Sequence, residues 1–175
     1  MSETRIREQV DISLSGCTAA LDVGCGPGKY LNTAPVQRKA GIDAYGPYLV
    51  HVENALTYHG RAEEVLPTLA TGSFDLVFSL DFIEHLDKDV SIRVIKEMIR
   101  IAKVRVLLFT PDGFHPQHEE QADGHRLSHA EWEWQTHRSA WSVSDLEQLG
   151  FRAWATPFHL GNVAGENALW AVLEK

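Results

Sequence analysis

The 175-residue chain carries 16 Lys and Arg against 24 Asp and Glu, for a formal net charge of −8, with 44% hydrophobic and 23% charged residues. This is the composition of an ordinary globular chain with apolar material for one sizeable core, and its acidity disfavours nucleic acid and anionic membrane surfaces as partners. No apolar run reaches a membrane span, the polar stretch Met1 to Glu8 is no secretory signal, and two cysteines, Cys17 and Cys25, make neither a disulfide framework nor a zinc-like spacing. A single domain over 1–175 in a reducing cytoplasm is the expectation.

In chain order, Ala19–Val23 is a short apolar run ending in glycines and reads as a buried strand. Lys39–Asp43, Leu56–Gly60 and Phe74–Leu80 read as the second, third and fourth strands, and Val104–Thr110, stopped by Pro111, as the fifth. Lys88 to Ala102 predicts a helix: Val90, Val94 and Met98 recur every fourth residue with Ile95, Ile99 and Ala102 beside them, while Asp89, Arg93, Lys96 and Arg100 take the other side. Ser142 is a predicted N-cap with Asp145 three residues on, and Gly150 suits the left-handed position past that helix. Strand and helix in alternation predict a doubly wound α/β domain on a mostly parallel sheet. The last two strand-like segments, 151–158 and 166–174, are too close for a parallel crossover and should pair antiparallel, completing a seven-stranded sheet.

The segment Leu21-Asp22-Val23-Gly24-Cys25-Gly26-Pro27-Gly28 follows a strand and is expected to open a helix. Glycines at 24 and 26 let a ligand approach the backbone, and helix N-terminal amides would point at it. The Gly-x-Gly-x-Gly spacing, with Lys29 next, is not a dinucleotide fingerprint, which speaks against a nicotinamide-dependent oxidoreductase. Asp22 would repel a pyrophosphate and suits a cationic ligand, an amino group or a sulfonium. Asp43 ends the second strand about 20 residues past the loop, where a carboxylate can accept both ribose hydroxyls.

These segments resemble the class I S-adenosylmethionine-dependent methyltransferases, especially the small bacterial general-methyltransferase type. The first motif lies at Leu21–Gly28, and Gly41-Ile42-Asp43 resembles the acidic end of the family's second strand. Gly60 to Pro67 is similar to the adenine-flanking segment, Phe74–Val77 with Asp81–Leu86 to the fourth-strand motif, and Thr110–Phe114 with His137–Trp141 to the loop after strand five and the sixth-strand entry. The resemblance implies a Rossmann-like sheet of order 3-2-1-4-5-7-6 with strand 7 antiparallel, and S-adenosyl-L-methionine as cofactor. It implies that Gly24, Cys25 and Gly26 contact the methionyl and ribose side, that Asp22 lies near the amino group and that Asp43 binds the ribose. Ala62 and Glu63 would flank the adenine, and Ser79 and Leu80 would give backbone contacts beside the methionyl group. Arg61 stands where many relatives carry the acid that receives the adenine amino group, leaving that contact to Glu63 or backbone atoms. With only about 18 residues before the first strand, the site is expected to be open or covered by the partner of a homodimer.

Methyl transfer from a sulfonium is an in-line displacement by an already activated reagent, so the protein chiefly aligns the nucleophile and excludes water, and a base is optional. Asp81 and His85, in Asp81-x-x-Glu84-His85 at the mouth of strand four, are candidate catalytic residues at the start of a helix. A third is His137, from segment 112–141, which also holds His115, His118, His125, His129, Trp132, Trp134 and Trp141. This segment is expected to form a substrate cover, with a short helix after Ser128. Asp81, Glu84, His85 and His137 also resemble the metal ligands of small-RNA terminal 2′-hydroxyl methyltransferases. Asp81 replaces that family's glutamate and the acidic balance opposes RNA, so no metal is expected. The reading is methyl transfer to an O or N atom of a small-molecule or glycan-like acceptor. The alternatives are a metal-assisted RNA 2′-O-methyltransferase and a non-catalytic S-adenosylmethionine-binding regulator.

Overall fold

The computed structural model describes residues 3–116, 128–157 and 167–175. Its elements run α1 (Glu3–Leu14), β1 (Ala19–Val23), β2 (Arg38–Asp43), α2 (Gly46–Leu49), β3 (Leu56–His59), α3 (Ala62–Val65), β4 (Phe74–Leu80) and α4 (Lys88–Ile101). They continue with β5 (Ala102–Pro111), α5 (His129–Gln135), α6 (Val143–Gln148), β6 (Arg152–Pro157) and β7 (Asn167–Glu174). The strands form one seven-stranded sheet in the order β3-β2-β1-β4-β5-β7-β6. The pairs β3·β2, β2·β1, β1·β4 and β4·β5 are parallel, and β7 runs antiparallel to both β5 and β6. This is the expected doubly wound, Rossmann-like order.

Alternation along the central strands sorts their side chains into two cores. Leu21, Val23, Val77, Val106 and Leu108 face one side, against Val94, Ile95, Met98 and Ile101 of α4. Ala20, Leu76, Phe78, Leu107 and Phe109 face the other, where Ile6, Val10 and Leu14 of α1 cover them with Leu31 and Trp170. The predicted α4 stripe is therefore buried on schedule, and α6 begins with a full capping box between Ser142 and Asp145. No helix among the described residues is long and apolar enough to cross a membrane.

The structure departs from the sequence reading in three places. No helix follows the glycine-rich loop: residues 24–37 pass from β1 to β2 through turns alone. Gly28, at φ +76°, and Pro35, which disfavours helix at Ala34, leave too short a run between them. The Asp81–Leu86 segment does not open α4 either; Ile83–His85 form a 3-10 turn, and the α-helix starts at Lys88. The polar-looking N-terminus, finally, forms α1, whose apolar residues recur every fourth position. His118 and His125, and the tip between β6 and β7, lie outside the described residues.

Candidate functional site

A cavity of about 700 Å³ opens at the carboxyl ends of β1, β2 and β4, the place this topology reserves for ligands. Asp22, Gly24, Cys25, Gly26 and Asp43 form one wall, and Ala62 and Glu63 one end. Leu80, Asp81 and His85 form the opposite side, and Trp134, Gln135 and Arg138 stand at the mouth.

The loop after β1 is fixed by backbone bonds. Gly24 and Cys25 both donate their amides to Ile42 O, at 2.9 and 3.0 Å. Gly24 has φ +74°, and a Cβ there would stand 2.3 Å from the Phe82 ring, so this glycine makes room for a side chain of the opposite wall. Gly26 differs: its φ is +50° and a Cβ would meet no protein atom within 4 Å, so its bare backbone borders open space. The Gly26 amide donates to Asp43 Oδ2 and the Tyr45 amide to Oδ1, both at 2.8 Å. Each carboxylate oxygen keeps a lone pair for a ligand hydroxyl. Burial raises the Asp43 carboxyl above its usual range, although the two amides pull it down. Burial, and then the charge of Asp43, push Asp22 well up. Two desolvated acids on one wall favour a cationic ligand.

Ala62 is buried at the far end of the cavity, while Glu63 Oε1 lies 3.7 Å from Arg61 Nη1. Glu63 Oε2 is buried with no hydrogen-bond partner among the described residues, an acceptor at the end of the cavity beside Arg61. Arg61 itself turns across the mouth, its guanidinium 5.3 Å from the centre of the Trp134 ring. Ser79 does not line the cavity; it is buried one layer back, its hydroxyl donating to Val23 O at 2.8 Å and tying β4 to the end of β1.

The remaining side is built around the 3-10 turn. Asp81, at φ +50°, donates its amide to Phe109 O. Although the residue is exposed to the cavity, desolvation of its carboxyl and then the neighbouring Glu84 raise it, and Lys29 pulls it back. Glu84 is buried: Oε2 accepts from the Thr110 hydroxyl at 2.9 Å, its backbone oxygen accepts from the Arg138 and Ser139 amides, and burial lifts its carboxyl to about 7. His85 borders the cavity and His137 packs edge-on behind it, ring centres 4.9 Å apart. Burial lowers both imidazoles, His137 to about 4 with the help of His85, so both are neutral near pH 7. Glu84 Oε1 and His85 Nδ1 are buried without partners among the described residues. Glu84, His85 and His137 each bring a ligand atom within 4.8 Å of the others. Such a group can accept a proton or hold a divalent cation.

The structure thus brings Asp22, Gly24, Cys25, Gly26, Asp43, Ala62, Glu63, Leu80, Asp81 and His85 to one cavity, and sets Ser79 and His137 just behind it. Sequence reasoning missed Phe82, Thr110 and Arg138. Arg138 was legible as the neighbour of His137, whereas nothing in the sequence marks Thr110 as the partner of Glu84.

A methyltransferase domain model matches residues 21–110. A S-adenosylmethionine-dependent methyltransferase from Archaeoglobus fulgidus superposes with TM-score 0.66 at 18% identity, covering 97% of this chain and 94% of that one. The methyltransferase domain of bacterial CtHen1-CN gives 0.64 at 14%, covering 98% of each. Magnesium protoporphyrin IX methyltransferase from Synechocystis PCC 6803, with bound S-adenosylhomocysteine, gives 0.63 at 16%, covering 96% and 82%. None of the curated proteins matches the chain in sequence.

Proposed function

The chain belongs to the methyltransferase family whose domain model it matches, and from that premise we propose that it moves a methyl group from S-adenosylmethionine to an O or N atom of a small polar, glycan-like acceptor. The cofactor supplies an activated methyl on a sulfonium. The protein's part is to hold, orient and deprotonate. Gly26 and Cys25 offer backbone to the methionyl and ribose portions, Asp43 accepts the ribose hydroxyls, Asp22 faces the amino group, and Ala62 and Glu63 flank the adenine. Glu63 Oε2, buried and without a partner among the described residues, is suited to the adenine amino group in place of the acid that Arg61 displaces. The Leu80 backbone borders the methionyl group, with Ser79 bracing it from behind.

The observation that carries the acceptor reading is the convergence of Glu84, His85 and His137 beside Asp81. His85, neutral and bordering the cavity, takes the proton from the acceptor. His137 packs edge-on against its ring, and Glu84, with an oxygen within 4.8 Å, stabilises the charge it gains. Trp134, Gln135 and Arg138 give the mouth one flat apolar surface and two polar groups, a combination that suits a sugar-like ring. On this reading the part of segment 112–141 that lines the mouth, Glu133 to Arg138, belongs to the acceptor cover. A labelled-methyl assay over a panel of glycans, sugar phosphates, hydroxy acids and amines tests the reading. Turnover on a hydroxyl or amine, lost in His85→Ala, is the expected result; cofactor binding without turnover on any acceptor would leave a regulator instead.

The same three residues favour a second reading, in which they hold a divalent cation that polarises an acceptor hydroxyl, the metal-assisted RNA 2′-O-transfer of the alternative. Dialysis against Mn²⁺ separates the two: one tight equivalent, lost in His137→Ala and required for turnover, supports the cation.

A further inference from the structure

The helix missing after the glycine-rich loop leaves a structural question. In a helix the carbonyls of Lys29 and Tyr30 would accept amides four residues on. In the turns that replace it, both are met by one side chain from another element. Arg7 of α1 donates Nη2 to Lys29 O at 2.7 Å and Nη1 to Tyr30 O at 2.9 Å, and its guanidinium lies 4.9 Å from the centre of the Tyr30 ring. Leu31 O accepts the Ala34 amide within the turns at 3.1 Å, and Asn32 O is again met by a side chain, Lys39 Nζ, at 2.8 Å. The base of this latch is firm, because Ile6, Val10 and Leu14 bury the other face of α1 in the core.

The latched residues matter to the site. Lys29 and Tyr30 line the cavity, and Lys29 is the cation that pulls the Asp81 carboxyl down. The same loop carries Gly26, whose amide holds Asp43. On the strand side the loop is pinned by the Gly24 and Cys25 amides on Ile42 O; on its outer side Lys39 holds Asn32 O, and Arg7 holds the two carbonyls of the cavity-lining residues Lys29 and Tyr30. We propose that Arg7 is a positioning residue for the cofactor, its forked guanidinium doing from α1 what the absent helix would do from within. It touches neither cofactor nor acceptor; it sets the wall that the cofactor meets. The inference rests on the cofactor assignment and not on the acceptor.

Calorimetry of S-adenosylhomocysteine binding tests it, with thermal melts of each variant with and without that ligand. Arg7→Ala should weaken binding about three- to tenfold and lose more melting temperature with ligand than without. Arg7→Lys should recover less than half of the affinity, since one ammonium cannot fork across two carbonyls. Arg5→Ala, exposed on the same helix, should bind like the parent. Should Arg7→Ala fail to fold, Arg7→Lys is read by hydrogen exchange, with faster exchange expected at residues 29–34 and unchanged exchange in α1. Parental affinity in Arg7→Ala, an equal melting loss with and without ligand, or loosening confined to α1 would each reduce Arg7 to a fastener of its own helix and overturn the proposal. A parent that fails to bind S-adenosylhomocysteine would instead count against the cofactor assignment.

Discussion

The two sides of the cavity are made differently. The wall at the ends of β1 and β2 is a backbone device: the Gly24, Cys25, Gly26 and Tyr45 amides are spent on Ile42 O and Asp43, and the side chains there are small or carboxylate. The wall at the end of β4 is a side-chain device, in which Glu84 Oε1 and His85 Nδ1 are left buried without partners among the described residues. A buried polar atom with no partner costs free energy that a well-packed core would avoid. The satisfied wall is therefore ready for a ligand whose shape is fixed. The unsatisfied one waits for a proton, a cation or an acceptor group. Glu63 Oε2 is the exception on the first side, an unpartnered buried atom beside Arg61.

If the division holds, changes on the first wall move cofactor affinity and leave turnover of the bound cofactor alone, and changes on the second do the reverse. The largest effect is expected at Gly26. Gly26→Val puts a branched side chain into open space beside Asp43 at a φ that L-residues avoid, and should cost at least about a hundredfold in S-adenosylmethionine affinity while the protein stays folded; binding within tenfold of the parent would show that the ligand does not pass this backbone. His85→Ala should lower kcat about 10²- to 10⁴-fold once an acceptor is in hand, with cofactor affinity changed less than about threefold. An equal loss in both would merge the two walls into one. Asp43→Ala should cost about 1–3 kcal/mol of cofactor affinity through lost charge-assisted hydrogen bonds. Calorimetry showing parental affinity would remove Asp43 from the site.

The first wall was legible in the sequence because it is made of the chain's own order: a strand, a glycine loop and an acid at the end of the next strand, each a local pattern. The antiparallel pairing of the last two strands was legible from their short connection, whereas the sheet order came from the resemblance to the methyltransferases. The second wall was legible only in names. Asp81, His85 and His137 were singled out, but that His137 stands behind His85, and that Thr110 holds Glu84, depends on where two distant segments meet. The absent helix was misread because a strand followed by Gly-x-Gly-x-Gly ordinarily opens one; Pro35, six residues past Lys29, was the signal against it. The helix α1 was overlooked because charged residues separate Ile6, Val10 and Leu14, and a spacing of four shows only when the intervening charges are allowed to face water.

The finest test of the second wall is the pH dependence of stability, because it depends on the burial of two groups with opposite signs. Glu84 ordinarily titrates near 4.5 and is raised to about 7. Between those values the folded protein keeps a proton that the unfolded chain has released, so this group's contribution to stability is full below 4.5 and is lost as pH rises to 7. His137 ordinarily titrates near 6.5 and is lowered to about 4. Between those values the unfolded chain holds a proton the folded protein lacks, so its contribution is lost as pH falls from 6.5 to 4. The two slopes oppose each other from about 4.5 to 6.5, and the parent protein hides both. Difference curves expose them. In chelator-treated protein, the stability of Glu84→Gln relative to the parent should rise with pH up to about 7 and then level off. That of His137→Gln should instead rise as pH falls below about 6.5. Urea melts across this range measure both curves. Two flat differences would mean that water reaches Glu84 and His137 freely, and that the side of the cavity assigned to the acceptor is no more desolvated than an ordinary surface.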